Sequence, residues 1–209
     1  MSLDLWLTFV AASTALLLIP GPTILLVLSY ALTQGRKVAV ATAAGVALGD
    51  LIAMTASLLG LGAVVLASAT AFTVLKWVGA VYLIWLGFKM LRSAKKATLG
   101  DLAVTGEMPA QSVFTHAAAV TALNPKSIGF FIAFVPQFIQ PSQPLVPQFS
   151  ILISTFVALA AVNALLYALL ADRLRTRISR PAVMQWLTRA GGCTLIGMGL
   201  LTATLRRAA

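Results

Sequence analysis

Leu17-Leu18-Ile19-Pro20-Gly21-Pro22-Thr23-Ile24 and Leu123-Asn124-Pro125-Lys126 are two places where prolines break long apolar runs, at matching positions in the two halves of the chain. Lipid offers no hydrogen bonds to the backbone groups such breaks set free. Irregular chain therefore survives at membrane depth only where it is buried in protein or lines a watery cavity. Paired interruptions of this kind point to a transporter built from inverted repeats, with its site at the breaks.

The composition makes the membrane reading firm. Sixty per cent of the 209 residues are hydrophobic and 10% charged, with a mean hydropathy of +0.97, against roughly 25% charged residues in soluble domains. At about 20 residues per span, the chain holds five or six helices in a single domain, residues 1–209. The formal charge of +10 does not indicate a nucleic-acid partner, because the basic residues cluster between apolar runs, as positive-inside anchors do. Cys193, the single cysteine, excludes an internal disulfide and a CxxC redox centre within the chain, and its apolar, Gly-rich surroundings read as a small buried side chain. Nothing at the start has the basic, short apolar and small-residue pattern of a cleaved signal, so the first segment is expected to be retained.

Apolar runs lie near Leu5 to Tyr30, Val38 to Ala67, Ala71 to Leu91, Val113 to Phe138, Val146 to Ala171 and Trp186 to Leu205. Arg36 and Lys37 occupy the first connection. The third carries Arg92, Lys95 and Lys96, partly offset by Asp101 and Glu107, and the fifth carries Arg173, Arg175, Arg177, Arg180 and Arg189; the second and fourth carry no charge. Basic loops stay in the cytoplasm, which places the amino terminus in the periplasm. Arg206 and Arg207 favour a five-span chain with its tail inside. Six spans instead give two three-helix halves, which an odd number of spans forces into opposite orientation. The expected fold is all-α: repeat one about 1–92, a linker about 93–112 with Gly100, Gly106 and Pro109, and repeat two about 113–209, the first and fourth helices being interrupted.

The breaks carry recognisable chemistry. Asn124 can cap a helix whose first residue is Pro125, where no amide hydrogen is needed; Gly21, Pro22 and Thr23 offer a second buried start. Two helix amino termini near the midplane favour an anion, and Lys126 adds a full charge that either serves this site or snorkels to an interface. Asp50, the only acid deep in an apolar run, follows Gly45-x-x-x-Gly49. It reads as a holder of a proton or an ammonium group, or as a structural cap or ion-pair partner. Asn163, in the corresponding span of the second half, reads equally as an interhelical contact or a substrate contact. The candidate site is Pro20, Gly21, Pro22, Thr23, Asn124, Pro125, Lys126 and Asn163 for substrate, with Asp50 for the proton or ammonium. Trp77, Trp85 and Trp186 read as interface anchors, His116 as an interfacial side chain, and the remaining glycines as helix-packing positions. Neither Gly-x-Ser-x-Gly nor His-Glu-x-x-His occurs, and deep metal ligands are not clustered. The chain is therefore read as no enzyme, with no metal and no cofactor.

The same residues carry a resemblance. Pro20-Gly21-Pro22, Gly49-Asp50, the run Gly79-Ala-Val-Tyr-Leu-Ile-Trp-Leu-Gly87 with Lys89-Met-Leu-Arg92, and Leu123-Asn-Pro-Lys126 before Phe130-Phe131 resemble the LysE superfamily in its homoserine/threonine resistance (RhtB) branch, over about residues 1–205. The resemblance implies a multi-pass exporter of amino acids or small derivatives in the bacterial inner membrane, driven by proton exchange and compatible with a homodimer. The alternatives are export of another small solute or a metal ion, or a non-transporting assembly subunit. The ligand compatible with the residues is a zwitterion, its carboxylate on the two helix starts and Lys126 and its ammonium on Asp50.

Overall fold

The computed structural model describes residues 1–67, 69–94, 108–140, 142–178 and 181–204, all helix or short connection. Most of the expected linker lies outside these residues, including Lys95, Lys96, Gly100, Asp101, Gly106 and Glu107, as do Arg180, Arg206 and Arg207.

Helix α1 (Leu3–Leu18) starts at Ser2, whose side chain accepts from the Leu5 amide at 3.4 Å, and ends in extended backbone at Ile19. The residue before a proline is driven out of the helical region, which stops the helix there. Gly21 precedes α2 (Pro22–Gln34), which has proline in its first turn. The two helices meet at a bend of 55°. Gly35, with φ of 69°, turns the chain through a 3-10 segment (Gly35–Val38) into α3 (Ala39–Ala67). After α4 (Ala69–Ser93), the second half repeats the pattern. Helix α5 (Ala110–Ala122) breaks at Leu123 and Asn124, and α6 (Pro125–Ala133) leads into a 3-10 turn ending at Phe138, the pair bent by 45°. Helices α7 (Leu145–Ile178) and α8 (Pro181–Thr204) follow.

Glycines set the helix spacing. A Cβ at Gly49 of α3 would lie 2.5 Å from the Ala118 carbonyl oxygen of α5, and one at Gly45 would meet the Phe114 carbonyl on the same helix. Between α4 and α8, a Cβ at Gly87 would lie 2.6 Å from the Gly192 carbonyl. Backbone approach this close is the packing that small residues permit between helices in lipid. It brings α5 against α3 and α8 against α4.

Segments of α3 (Ala39–Ala63), α4 (Thr73–Ser93) and α7 (Leu145–Ala171) are long and apolar enough to cross a membrane, and the two bent pairs raise the number to five. The sixth expected run falls on α8. That helix has the length, at 24 residues, but Thr188, Arg189, Gly191, Gly192, Thr194, Gly197 and Gly199 dilute its apolarity. Trp77, Trp85 and Trp186 are exposed on the outer surface. Cys193 is exposed too, contrary to the buried position expected for it. In a membrane protein the lipid-facing surface is itself apolar, so apolar neighbours in sequence do not tell inside from outside.

Candidate functional site

Among the described residues the only buried charged side chains are Asp50, 2% exposed, and Lys126, 7% exposed. Both line a cavity of about 20 Å³ at the crossing of the two broken helices, together with Leu16, Thr23, Asn124 and Asn163. Such a volume holds about one water molecule. A larger hollow of about 600 Å³ beside Trp85, Phe88, Lys89 and Arg92 lies at the end of α4 and contains none of these buried polar groups.

The break in α1 dictates the geometry. A helix that ends inside the membrane leaves its last carbonyls short of intrahelical partners; in α1 the Leu16 carbonyl keeps a bond from the Ile19 amide at 3.3 Å, and side chains from the other half of the chain supply further donors. Lys126 Nζ donates to the carbonyl oxygens of Leu16 at 3.1 Å and Ile19 at 2.9 Å. Asn163 Nδ2 donates to Leu17 at 3.0 Å, and the Tyr167 hydroxyl to Leu18 at 3.0 Å. Four consecutive carbonyls thus receive side-chain donors from α6 and α7. Lys126 is buried on them and does not snorkel, and a cation at a helix carboxyl terminus is favoured by the dipole. Gly21 gives its stem room, since a Cβ there would sit 3.3 Å from Nζ and 3.4 Å from Cε.

The second break is closed differently. Asn124 Oδ1 accepts from the Lys126 amide at 3.0 Å and so caps α6, while its Nδ2 donates to Thr23 Oγ1 at 3.0 Å. Thr121 Oγ1 also donates to Thr23 Oγ1, at 3.4 Å. The amino end of α2 has no side-chain cap. Asp50 sits in the cavity wall close enough to interact electrostatically with Lys126, yet its Oδ1 has no hydrogen-bond partner. The two charges share a chamber without forming an ion pair.

The structure therefore brings Thr23, Asp50, Asn124, Lys126 and Asn163 together, with Gly21 against the Lys126 ammonium. Pro22 and Pro125 are exposed and, with Pro20, are absent from the cavity wall. Tyr167 was not foreseen, because a tyrosine in an apolar run reads as an interfacial side chain; its position four residues after Asn163, on the same face of α7, was the available signal. His116 also has a partner that the sequence did not reveal: its Nδ1 lies 2.6 Å from the buried Tyr30 hydroxyl, across the seam between α2 and α5.

The LysE type translocator family model matches residues 14–206. The chain belongs to the LysE family. This LysE-family chain is 37% identical over 208 residues to the homoserine/homoserine lactone efflux protein of Salmonella typhimurium, covering the whole of both. It is 32% identical over 206 residues to an uncharacterized membrane protein of Vibrio cholerae, with 99% of this chain and all of that protein covered. With the leucine efflux protein of Klebsiella pneumoniae it shares 32% over 134 residues, 64% of this chain and 63% of that one. No solved structure matches it. As a LysE type translocator it moves a solute and is not an enzyme.

Proposed function

We propose that this translocator exports an amino acid or a small amino-acid derivative across the bacterial inner membrane in exchange for protons. The observation that carries the reading is the shared chamber: the only buried acid and the only buried base among the described residues stand together where both broken helices end. Relatives named for efflux of homoserine, homoserine lactone and leucine support a small α-amino solute. The uncapped amino end of α2 and the Thr23 hydroxyl are suited to the substrate's carboxylate or acyl oxygen. Asp50, with a free oxygen in the chamber, is suited to the proton.

In this reading α8 is the sixth span, residues about 1–92 and 113–209 are inverted repeats joined by the linker between them, and the amino terminus is periplasmic. The packing supports it. Exchanging the halves converts α3 into α7 and α4 into α8, and both α3 with α7 and α4 with α8 are neighbouring pairs. The α2–α5 seam would have its counterpart where Phe9 of α1 meets Phe138 after α6, with ring centroids 5.2 Å apart.

Inverted membrane vesicles loaded with buffer and given an acid interior test the function. L-homoserine, its lactone and L-leucine are supplied outside; gradient-driven uptake of at least one is expected from vesicles carrying the protein and not from empty ones. Uptake that is the same with and without the pH gradient would remove the proton from the mechanism, and no uptake of any would remove amino-acid export.

A further inference from the structure

The end of α1 already holds an ammonium group. Lys126 Nζ sits on the Leu16 and Ile19 carbonyls, and the cavity beside it has room for only one water-sized molecule. No amino acid enters this chamber while Lys126 stays where it is. Asp50, in the same wall, has a buried oxygen with no partner, a second place where the Lys126 ammonium would be welcome. Gly21 presents no Cβ to the outer carbons of the Lys126 side chain, which leaves space beside them.

Building on the export reading above, we infer that the carbonyls of Leu16 and Ile19 form the seat for the substrate's ammonium group, and that Lys126 is a built-in stand-in that holds this seat while the chain is unloaded. Substrate displaces Lys126, which moves to Asp50. The pairing anticipated from the sequence is thereby exchanged, with the substrate ammonium on backbone oxygens and Lys126 on the acid. The seat recognises what homoserine, homoserine lactone and leucine share. The lactone has no free carboxylate, whereas all three carry a primary ammonium.

Coupling to protons follows from charge balance. If Asp50 holds a proton while Lys126 is on α1, arrival of the Lys126 ammonium releases that proton toward the side from which substrate came. Departure of substrate on the other side lets Lys126 return and Asp50 take a proton from there. One substrate leaves for one proton entering. Among the other titratable side chains, Tyr167 of α7 sits on the Leu18 carbonyl, Tyr82 of α4 donates to the Pro125 carbonyl at 3.3 Å, and Tyr30 pairs with His116 at the α2–α5 seam; none of these hydroxyl or imidazole groups bonds to the Leu16 or Ile19 carbonyl.

The test is chemical rescue of the emptied seat. Lys126→Ala is purified in detergent and its melting temperature measured with ethylammonium chloride and with tetramethylammonium chloride at equal concentration. The seat predicts stabilisation by ethylammonium alone, because only that ion has N–H donors for the carbonyls. Equal effects of the two salts would overturn it. Should the variant fail to accumulate, the full-length wild type is melted with L-homoserine, homoserine lactone and 4-hydroxybutyrate. The first two stabilise and the last, lacking the amine, does not. Stabilisation by 4-hydroxybutyrate equal to that by homoserine, failure of the lactone, or no shift from any of the three overturns the seat. Neither melting experiment requires transport. A protein that carries amino acids in vesicles without rescue keeps the export reading and loses the seat, and the converse separates them in the other direction.

Discussion

The ammonium of Lys126 rests 2.9 Å from the carbonyl oxygen of Ile19, so a lysine at the start of one broken helix completes the end of the other. The contact joins residues 107 positions apart. It explains how a charge costing about 2.5–3.5 kcal/mol on insertion scales is tolerated in an apolar segment: the same charge is met by two backbone acceptors at the broken end of α1.

Gly21→Ala separates function from stability at this contact. The added Cβ would press on the far end of a flexible side chain, 3.3 Å from Nζ, and the backbone at Gly21, φ −127° and ψ −170°, suits alanine. Melting temperature is expected to change little, by less than about 1 kcal/mol in equivalent stability, while vesicle transport falls several-fold. A variant that transports normally would show that Lys126 has no need of this space.

Asn163→Leu and Tyr167→Phe each leave a carbonyl at the end of α1, Leu17 or Leu18, without its donor. The expected destabilisation is about 1–3 kcal/mol each, read from thermal unfolding in detergent. Because both carbonyls belong to one helix end, the double variant is expected to depart from additivity.

Asp50→Asn removes the proposed proton-carrying group at nearly constant shape. Vesicles bearing it are expected to lose pH-gradient-driven uptake but retain exchange of labelled for unlabelled substrate. Binding of substrate to the purified wild type in weak buffer is expected to release about one proton per site, and binding to the variant none. Gradient-driven uptake by Asp50→Asn would exclude Asp50 as the carrier.

Gly49→Val tests how the site is positioned. Its Cβ alone would lie 2.5 Å from the Ala118 carbonyl and 2.6 Å from Thr121 Cβ, pushing α5 away from α3. Asn124 would move with α5 and lose register with Thr23. Overpacking of this kind costs about 1–3 kcal/mol or more; transport and melting temperature are both expected to fall, in contrast to Gly21→Ala.

Tyr30→Phe deletes the bond to His116 Nδ1 while keeping the ring. At 1.5 Å per residue, Tyr30 lies about 10 Å along α2 from Thr23, and His116 about 12 Å along α5 from Asn124. The variant is expected to raise accessibility of the chamber to a thiol reagent from the basic-loop side, measured with a cysteine at Ser127 in a Cys193→Ser background. Unchanged labelling would show that this seam does not guard the chamber.

The sequence by itself determined the membrane character, the helices and both breaks, because hydropathy and proline act locally: lipid requires unbroken apolar hydrogen-bonded segments, and a proline interrupts one wherever it falls. It also marked Asp50 and Lys126, since a charge in such a segment is conspicuous. Only the tertiary structure decided what those charges touch. The carbonyls freed at Pro20 find their donors in residues more than a hundred positions away, and that match depends on how glycine-lined helices from the two halves come together. A proline shows that backbone groups are released; which side chain satisfies them is a property of packing, and so Tyr167, the exposed Cys193 and the resting place of Lys126 became visible only in three dimensions.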